Sequence, residues 1–335
     1  MTNNSTVPLS VIVPVYKGDE NFLQCMESLT ATCPKPDEII IVIDGHLDSS
    51  FYPDKQQVTS ILHTSSRGGP GMARNIGAKA AQNDILLFID SDVLVPPTLL
   101  EKVMEEFKEH PDISGIFGSY DNTPQAKNFL SQYRNLLHHY VHQNGNEDAS
   151  TFWGACGAIK RDVFLKNGGF DEKRYLRPSI EDVELGDRLK KAGYKIRLCK
   201  GLQVKHLKRW GVTSMLKTDF FQRALPWTEL ILDNRDIAND LNTNISSRLS
   251  IVFLFILISS IVISRVHPPY ILLTGAGLVG LLFCNFDVYL FFRKQKGCWF
   301  ALQTIPWHWI YYFICGLGFI AGYCRYLFIQ LTNKS

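Results

Sequence analysis

Several familiar signals are missing from this sequence of 335 residues. Its formal net charge is only +3, which is too small to indicate a nucleic-acid partner. Its eight cysteines lie far apart without a CxxC pair, which excludes a small disulfide-bonded secreted domain and favours free thiols in a reducing cytosol. No GxGxxG follows the first predicted strand, which argues against a dinucleotide-binding dehydrogenase. No HExxH accompanies the histidine-rich helix predicted at 129–143, so we expect no zinc site there.

The N-terminus also lacks a targeting signal. The stretch MTNNSTVPLS contains neither the basic start nor the apolar segment of a signal peptide. We therefore expect the charged part of the chain to stay in the cytoplasm, where it is made.

Long apolar segments are present after Arg248, at 249–264, 270–292 and 305–330. A helix needs about 20 apolar residues to cross a bilayer, so the last two segments are long enough and the first is slightly short. Three crossings would put Arg248 and the RKQK cluster on the same, cytoplasmic side, as positive residues prefer. The sequence thus predicts a multi-pass membrane region at 248–330, with a buried helical domain as the alternative.

The chain before Arg248 alternates β-branched runs with helical patterns. Buried parallel strands are predicted at 10–16, 38–44 and 85–90. The helical patterns are NFLQCMESL, GMARNIGAKAAQ and PPTLLEKVMEEFKEH. This alternation predicts an α/β fold with a Rossmann-like open sheet, in which ligands bind beyond the carboxyl ends of the strands.

Two aspartates, Asp90 and Asp92, interrupt the apolar run LLFIDSDVLV where its strand ends. Two carboxylates at this spacing can share one hard cation such as Mg²⁺ or Mn²⁺, which prefers oxygen ligands and leaves positions for substrate phosphates. Asp-Ser-Asp also forms good turns. The spacing alone therefore leaves a metal site and a plain turn as alternatives.

A second acidic element lies in PSIEDVELGDRLKKAGYKI, residues 178–196, which is predicted as a helix capped by Ser179. At about 100° per residue, Asp182 falls on the side of Leu185 and Leu189. A carboxylate that points inward from a helix N-terminus is a candidate general base. The alternative is a carboxylate that only stabilises the helix N-terminus.

An ordered series of motifs runs through the chain: SVIVPVYKGDENFLQCMESL, IVIDGHLD, GGPGMARN, DSD, GACGAIKRDVF, GGFDE and EDVELGDRL. Over about residues 8–230, this series resembles a family 2 glycosyltransferase of the GT-A fold. The resemblance implies an inverting enzyme that uses a nucleotide-diphosphate sugar and a divalent metal, Mg²⁺ or Mn²⁺. It implies a catalytic domain at 8–235, with helices at the membrane surface near 206–235.

The resemblance also implies which residues hold the nucleotide sugar. Pro14, Tyr16 and Asp44 would hold the nucleoside base, although the family often has two acidic residues where this chain has only Asp44. Arg74 and Glu181 would contact the nucleotide sugar as well. For Arg74, a plain position on the helix surface is the alternative, and the glycines of GGPG are consistent with either close approach to the nucleotide or a simple turn.

The remaining roles implied by the resemblance concern metal and base. Asp90 and Asp92 would form the DxD pair at the ribose and the metal, and Asp182 would be the base. His206, in VKHLKRW, would be a third metal ligand, with a surface histidine among lysines as the alternative. The segment 210–232, which mixes aromatic, aliphatic and basic residues, suits a helix at the membrane surface or part of a core.

These observations predict a membrane-anchored glycosyltransferase whose acceptor hydroxyl belongs to a lipid or a cell-envelope glycan. A polyprenyl-phosphate glycosyltransferase is the alternative, although its ionised acceptor needs no base. An inactive membrane protein that binds sugar nucleotides is a third possibility, against which the intact acidic pairs argue. The absence of QxxRW and the small number of crossings disfavour a processive polysaccharide synthase.

Overall fold

The computed structural model of this protein describes residues 6–53, 58–234 and 240–332. Residue 235, where the catalytic domain is predicted to end, lies outside the described residues. The chain divides into two compact units, Met1–Arg209 and Trp210–Ser335, and each has its own architecture. The first is an α/β unit and the second is helical, which confirms the predicted fold class.

The first unit alternates strands and helices. Its strands are β1 Thr6–Val15, β2 Lys35–Ile43, β3 Ser60–His63, β4 Ile85–Ile89, β5 Val93–Leu94, β6 Gly115–Tyr120, β7 Cys156–Lys160 and β8 Ile196–His206. Its helices are α1 Glu20–Thr30, α2 Gly69–Ala80, α3 Leu99–Glu109, α4 Phe129–Asn144, α5 Arg161–Lys166 and α6 Glu181–Lys191, with a short 3₁₀ turn at Ser49–Phe51.

The strands form one mixed sheet in the order β3-β2-β1-β4-β7-β6-β8-β5. Strands β3, β2, β1 and β4 are parallel, β7 runs antiparallel to both β4 and β6, and β6 is parallel to β8. Every residue of the apolar strand β4 is buried, as expected for a central strand covered on both faces. Helix α3 contributes one apolar stripe to this core through Leu99, Leu100, Val103 and Phe107.

The register of the sheet decides which residues meet at its carboxyl edge. Val15 pairs with Ile43, so the residues that follow β1 and β2 are neighbours. At the other side of the sheet, the short β5 pairs antiparallel with the end of β8, and Val93 faces His206. The chain segment after β4 is thereby brought against the end of β8.

Helix α6 begins one residue later than the predicted cap at Ser179 implies. Its N-cap is Ile180, and no side chain caps it, so the prediction that Ser179 caps this helix is wrong. The backbone N–H of Ser179 instead donates to the Glu181 carboxylate at 2.8 Å. Asp182 is therefore the second helical residue.

In the described residues of the second unit, every regular element is a helix. Its elements are α7 Val212–Lys217, a π-helical segment Thr218–Ala224, α8 Leu225–Asn234, α9 Ile245–Ile263, α10 Ile271–Cys284, α11 Phe286–Lys296 and α12 Cys298–Thr332, with 3₁₀ turns at Leu241–Thr243 and Pro268–Tyr270. Two helices, Ile245–Ile263 and Cys298–Phe328, are long and apolar enough to cross a membrane. Helices are thus present throughout the predicted membrane region.

The second predicted membrane segment, 270–292, is not one straight helix. Pro268–Cys284 and Phe286–Lys296 meet at an angle of 57°, so three crossings require this bent pair to count as one. The break falls at Asn285, whose amide donates to Ser250 Oγ and to the Leu281 carbonyl, each at 2.8 Å, and accepts from Tyr312 Oη at 2.7 Å. A polar side chain with partners on three helices accounts for the interruption of an otherwise apolar segment, because backbone bonds lost at a break must be replaced locally.

The segment 210–232, predicted at the membrane surface, folds as helices that pack on α12. A Cβ atom added at Gly322 would lie 2.8 Å from Thr228 Cγ2, so the glycine permits close approach of the two helices. Arg325 Nη1 lies 2.8 Å from Glu229 Oε1, which gives the one basic residue of the predicted third segment, 305–330, a partner. The position of these helices relative to a membrane stays a prediction.

Asn75, in α2, fastens the loop that follows α5 in the first unit. Its amide donates to the Phe170 carbonyl at 2.8 Å and to Glu172 at 2.7 Å, and its Oδ1 accepts from the Phe170 N–H at 2.9 Å. All three bonds link positions far apart in the sequence. This side chain therefore ties α2 to the loop that precedes α6.

Replacing Asn75 by alanine should destabilise the first unit substantially. The change removes three hydrogen bonds and leaves the buried Phe170 N–H unpaired, so we expect a loss of about 2–4 kcal/mol in the free energy of unfolding. Asn144→Ala, which removes one exposed hydrogen bond to Tyr140, is the matched control and should cost less than about 0.5 kcal/mol. Urea unfolding followed by tryptophan fluorescence compares the two, and equal losses would contradict this role for Asn75.

Candidate active site

The predicted nucleotide residues of β1 and β2 lie side by side at the carboxyl edge of the sheet. Pro14 is buried within β1, whereas Tyr16, just beyond the strand, is 42% exposed. The Asp44 N–H donates to the Val15 carbonyl at 2.7 Å, which fixes the ends of the two strands together. The structure thus brings these three residues together, as the sequence predicts.

The carboxylate of Asp44 is largely occupied by the loop before α2. Oδ1 accepts from Gly68 N at 2.9 Å and from Thr64 Oγ1 at 3.0 Å, and Oδ2 accepts from Gly69 N at 2.8 Å. Gly69 has a φ of +80°, a conformation that strongly favours glycine. The glycine-rich loop therefore has a defined role here, because it solvates the charge of Asp44 with backbone N–H groups.

A residue that the sequence analysis did not consider, Arg67, lies over the ring of Tyr16. Its guanidinium carbon is 4.3 Å from the ring centroid, within the range of a cation–π contact. The side chains of Arg67 and Tyr16 are both exposed. A cation over an exposed aromatic ring is suited to the recognition of a planar anionic ligand such as a nucleotide.

Arg74 is buried rather than placed on a helix surface, so that alternative is wrong. It is 4% exposed, and its Nη2 lies 2.6 Å from Asp90 Oδ1 while its Nη1 lies 3.2 Å from Glu181 Oε1. Burial opposes its charge, but the neighbouring carboxylates Asp90, Glu181 and Asp182 raise the pKa of Arg74 above its ordinary value. The side chain joins the acidic pair after β4 to the acidic pair that begins α6.

Asp92 and His206 meet through the pairing of β5 with β8. Asp92 Oδ2 lies 3.6 Å from His206 Nε2, and the Leu207 N–H donates to the Asp92 carbonyl at 2.9 Å. Burial favours the neutral form of Asp92, but interactions with His206 and with Lys208 hold its pKa below the ordinary value. His206 is itself buried, so the alternative of a surface histidine is wrong.

An aromatic cluster supports the imidazole of His206. The ring of Tyr120 stacks on it with centroids 4.1 Å apart and an angle of 10° between the planes. Trp153 packs edge-on against Tyr120 at 4.8 Å, and His138 lies 4.5 Å from the same ring. The histidines of α4 therefore belong to the packing behind the site.

The pair of Asp92 and His206 fits a divalent cation. Two ligand atoms of one such ion lie at most about 4 Å apart, and the carboxylate and imidazole already approach to 3.6 Å. Asp90 fits less directly, because its Oδ1 is engaged by Arg74. Within the described parts of the chain, no group of three or more His, Cys, Asp or Glu side chains is arranged to hold a metal ion. The three-ligand set stays a prediction.

Asp182 lies where α6 packs closely on the loop before β7. A Cβ atom at Gly186 would overlap the backbone at Thr151 and Phe152, so this glycine allows the approach. The result is that Asp182 Oδ2 accepts from the Gly154 N–H at 3.1 Å, and Oδ1 accepts from the Val183 N–H at 2.9 Å. The carboxylate faces the domain, as the helical periodicity predicts.

The environment of Asp182 raises its pKa above the ordinary value of an aspartate. Burial, followed by the negative charge of Glu181, raises its pKa from 3.8 to about 6, while the Gly154 N–H and Arg74 act in the opposite direction. A carboxylate with a pKa near the working pH combines availability as a base with strength as a proton acceptor. Asp182 therefore has the electrostatic character of a general base, and its catalytic role stays a prediction.

Several residues of the site carry no sequence signal strong enough to find them. Tyr120 acts through its position at the end of β6, and Gly154, although it begins the motif GACGAIKRDVF, contributes only a backbone N–H. Asn75 directly follows Arg74 in the quoted motif GGPGMARN, so the motif itself was the available signal. Trp153 directly precedes the motif GACGAIKRDVF, so its position beside that motif was the available signal.

The mixed α/β sheet of the first unit has the architecture of the GT-A fold, with acidic pairs near the carboxyl edge of its strands. Residues 10–168 match the family model described as Glycosyl transferase family 2, which is just under half of the chain. Residues 10–168 are therefore similar to a family 2 glycosyltransferase domain, and the predicted resemblance is confirmed.

Curated relatives and a solved structure agree with this assignment. Glycosyltransferase GlyG of Streptococcus pneumoniae is 29% identical over 35% of this chain and 40% of its own length. The glucosyl-dolichyl phosphate glucuronosyltransferase of Haloferax volcanii is 27% identical over 49% of this chain, which spans 56% of that protein. The mannosyltransferase PcManGT from Pyrobaculum calidifontis, solved with GDP-Man and Mn²⁺, has a TM-score of 0.55 at 14% identity, covering 92% of this chain and 87% of that one, which is a likeness of fold.

The raised pKa of Asp182 can be measured directly. In protein with ¹³C-labelled aspartate carboxyls, the signal that disappears in Asp182→Asn should titrate near 6. Glu181→Gln should lower this pKa by about one unit because a neighbouring negative charge is removed. Glu184→Gln is the control, since Glu184 pairs with Arg188 along the helix, and should leave the titration in place. A wild-type pKa near 4 would contradict the proposed environment.

Proposed function

We propose that this protein is a membrane-anchored inverting glycosyltransferase. It transfers a sugar from a nucleotide-diphosphate sugar to an acceptor hydroxyl of a lipid-linked substrate or a glycan. The observation that carries this proposal is the half-buried carboxyl of Asp182, which accepts from the Gly154 N–H, has a pKa of about 6, and is linked through Glu181 and Arg74 to the partly exposed Asp90. The family 2 domain supports the same assignment.

The donor binds at the edge formed by β1, β2 and β4. Tyr16 offers an exposed ring for the nucleoside base, and Pro14 and Asp44 shape the strand ends beneath it. Asp90 and Asp92, whose side chains are 30% and 31% exposed, reach the ribose and the diphosphate side. The mannosyltransferase of similar fold was solved with GDP-Man, which supports a nucleotide-sugar donor here.

A divalent cation, Mg²⁺ or Mn²⁺, would be held by Asp92 and His206, with Asp90 contributing its remaining oxygen. Bound there, it supplies positive charge that stabilises the diphosphate leaving group. The presence of Mn²⁺ in the mannosyltransferase supports this cofactor. Tyr120 keeps the imidazole of His206 directed at Asp92 by stacking against it.

Asp182 acts as the general base. Its carboxylate takes the proton of the acceptor hydroxyl while the acceptor oxygen attacks the anomeric carbon from the face opposite the diphosphate. The new glycosidic bond forms as the bond to the diphosphate oxygen breaks, and the configuration inverts. No covalent intermediate with the protein is required, so no nucleophilic serine or cysteine takes part.

The second unit anchors the protein in a membrane. Helices α9 and α12 are long enough to cross, and they expose large apolar side chains such as Val262 at 65% and Phe328 at 68%. Such a continuous apolar surface is stable only against lipid or another protein. We place the catalytic unit in the cytoplasm, on the side of the RKQK cluster of α11, because positive residues prefer that side.

Activity should depend on the cation and on its ligands. Purified protein, screened with common nucleotide-diphosphate sugars, should hydrolyse or transfer at least one of them, and a chelator should abolish this until Mn²⁺ or Mg²⁺ is restored. Asp92→Asn should lower turnover by about 10²-fold or more while the melting temperature changes little. Asp112→Asn, which changes an exposed aspartate paired with Lys195, is the control. Full activity in the presence of the chelator would contradict the proposed role of a metal ion.

Asp182→Asn should lower kcat by about 10²- to 10⁴-fold, the usual contribution of general-base catalysis. Donor affinity should survive, because the proposed nucleotide contacts lie at the ends of β1, β2 and β4, whereas Asp182 lies on α6. In the wild type, kcat should fall as the pH drops below about 6, because the base is then protonated. The measurements are kcat from initial rates and donor affinity by calorimetry, both on the same folded variant. Near-normal turnover would favour an already ionised phosphate acceptor, and binding without any turnover in the wild type would indicate an inactive binder.

A further inference from the structure

The guanidinium of Arg74 is enclosed by protein on several sides. Each terminal nitrogen faces one carboxylate, Asp90 at 2.6 Å and Glu181 at 3.2 Å. A Cβ atom added at Gly154 would lie 3.0 Å from the guanidinium carbon, and the ring of Phe170 lies 5.4 Å from it on another side. With 4% of the residue exposed, Arg74 presents little surface to a nucleotide.

The two carboxylates that Arg74 joins belong to different parts of the site. Asp90 follows β4 at the edge where the donor is proposed to bind, whereas Glu181 begins α6 and directly precedes Asp182. A planar guanidinium with two terminal nitrogens can hold two carboxylates in one fixed geometry, which a lysine cannot do. The Arg74 fork is thus a rigid connection between the donor side and the base.

We infer that Arg74 is a positioning residue of the transfer reaction rather than a nucleotide ligand. Its guanidinium holds the Asp90 carboxylate and the start of α6 at a fixed separation, and so sets where Asp182 stands relative to the bound donor. This inference rests on the proposed function. It replaces the nucleotide contact that the sequence predicts for Arg74.

The charge of Arg74 has a second effect on the base. Asp182 faces the Glu181 carboxylate of its own helix, the Arg74 guanidinium of α2 and the Gly154 N–H of the loop before β7. Burial and Glu181 raise the pKa of Asp182, and Arg74 opposes that rise. Loss of the Arg74 charge should therefore raise the pKa of Asp182. The acid limb of the kcat profile, which is the pH range in which kcat falls as the base is protonated, should then move to higher pH.

The test compares Arg74→Gln, which removes the charge, with Arg74→Lys, which keeps the charge but loses the fork. Both should lower kcat by about 10- to 100-fold, because small misplacements of reacting groups have effects of this size. Only Arg74→Gln should move the acid limb of kcat upward, by about one pH unit. Calorimetric affinity for the nucleoside diphosphate with Mn²⁺ should fall by less than tenfold for both variants, since Arg74 itself makes no donor contact and acts on the donor only through Asp90.

Arg197 provides a matched control. It also bridges two glutamates, Glu106 at 3.6 Å and Glu147 at 3.1 Å, but it lies at the opposite end of β8 from His206. Arg197→Gln should leave kcat, its pH profile and nucleotide affinity unchanged. Thermal unfolding establishes that each variant is folded. If Arg74→Gln does not fold, Arg74→Lys carries the test through its kcat and its retained nucleotide affinity.

Two results would overturn the inference. One is a loss of nucleoside-diphosphate affinity of tenfold or more with the acid limb in place, which marks a nucleotide ligand. The other is an Arg74→Lys variant whose kcat equals that of the wild type. That result shows that the two terminal nitrogens of the guanidinium are not needed. Failure of the proposed function is a different outcome, because the wild-type protein would then turn over no donor at all. An active wild type with an inactive Asp182→Asn variant, combined with either overturning result, rejects only the role of Arg74.

Discussion

Carboxylates placed at the edge of an apolar sheet must each be given a partner, and this constraint organises the first unit. Asp44 accepts hydrogen bonds from the N–H groups of the glycine-rich loop. Asp90 forms an ion pair with Arg74, and Asp182 accepts a hydrogen bond from the Gly154 N–H. Each partner comes from a distant part of the chain, so satisfying the charges also closes the fold around the site. An uncompensated buried carboxylate costs several kcal/mol, which is a large part of the stability of a domain.

The parts of the fold and site that depend on local pattern could be predicted from the sequence. The apolar runs of β1, β2 and β4 end at turn residues, and their parallel pairing places Tyr16 and Asp44 together. The inward direction of Asp182 followed from its spacing to Leu185 and Leu189, which are both buried. In each case the determining interactions lie within about one turn or one strand of the residue.

The parts that depend on distant pairing were not accessible in this way. The contact between Asp92 and His206 arises from a two-residue ladder between β5 and β8, which has no periodic signature. Burial of Arg74 depends on two carboxylates contributed by other segments, and the break at Asn285 depends on Tyr312 and Ser250. The helix cap at Ser179 was predicted from a residue preference alone, whereas the backbone places Ile180 at the N-cap position.

The packing of 212–234 on α12 has a practical consequence for dividing this protein. Thr228 lies against Gly322, and Glu229 pairs with Arg325, so the segment after Trp210 has its partners in the last helix rather than in sequence neighbours. A fragment that ends after α8 would keep the helix faces that contact α12 but would lack α12 itself. These faces would be exposed to solvent, and the fragment would tend to aggregate. A soluble version of the first unit is therefore best ended near Arg209, where the compact unit itself ends.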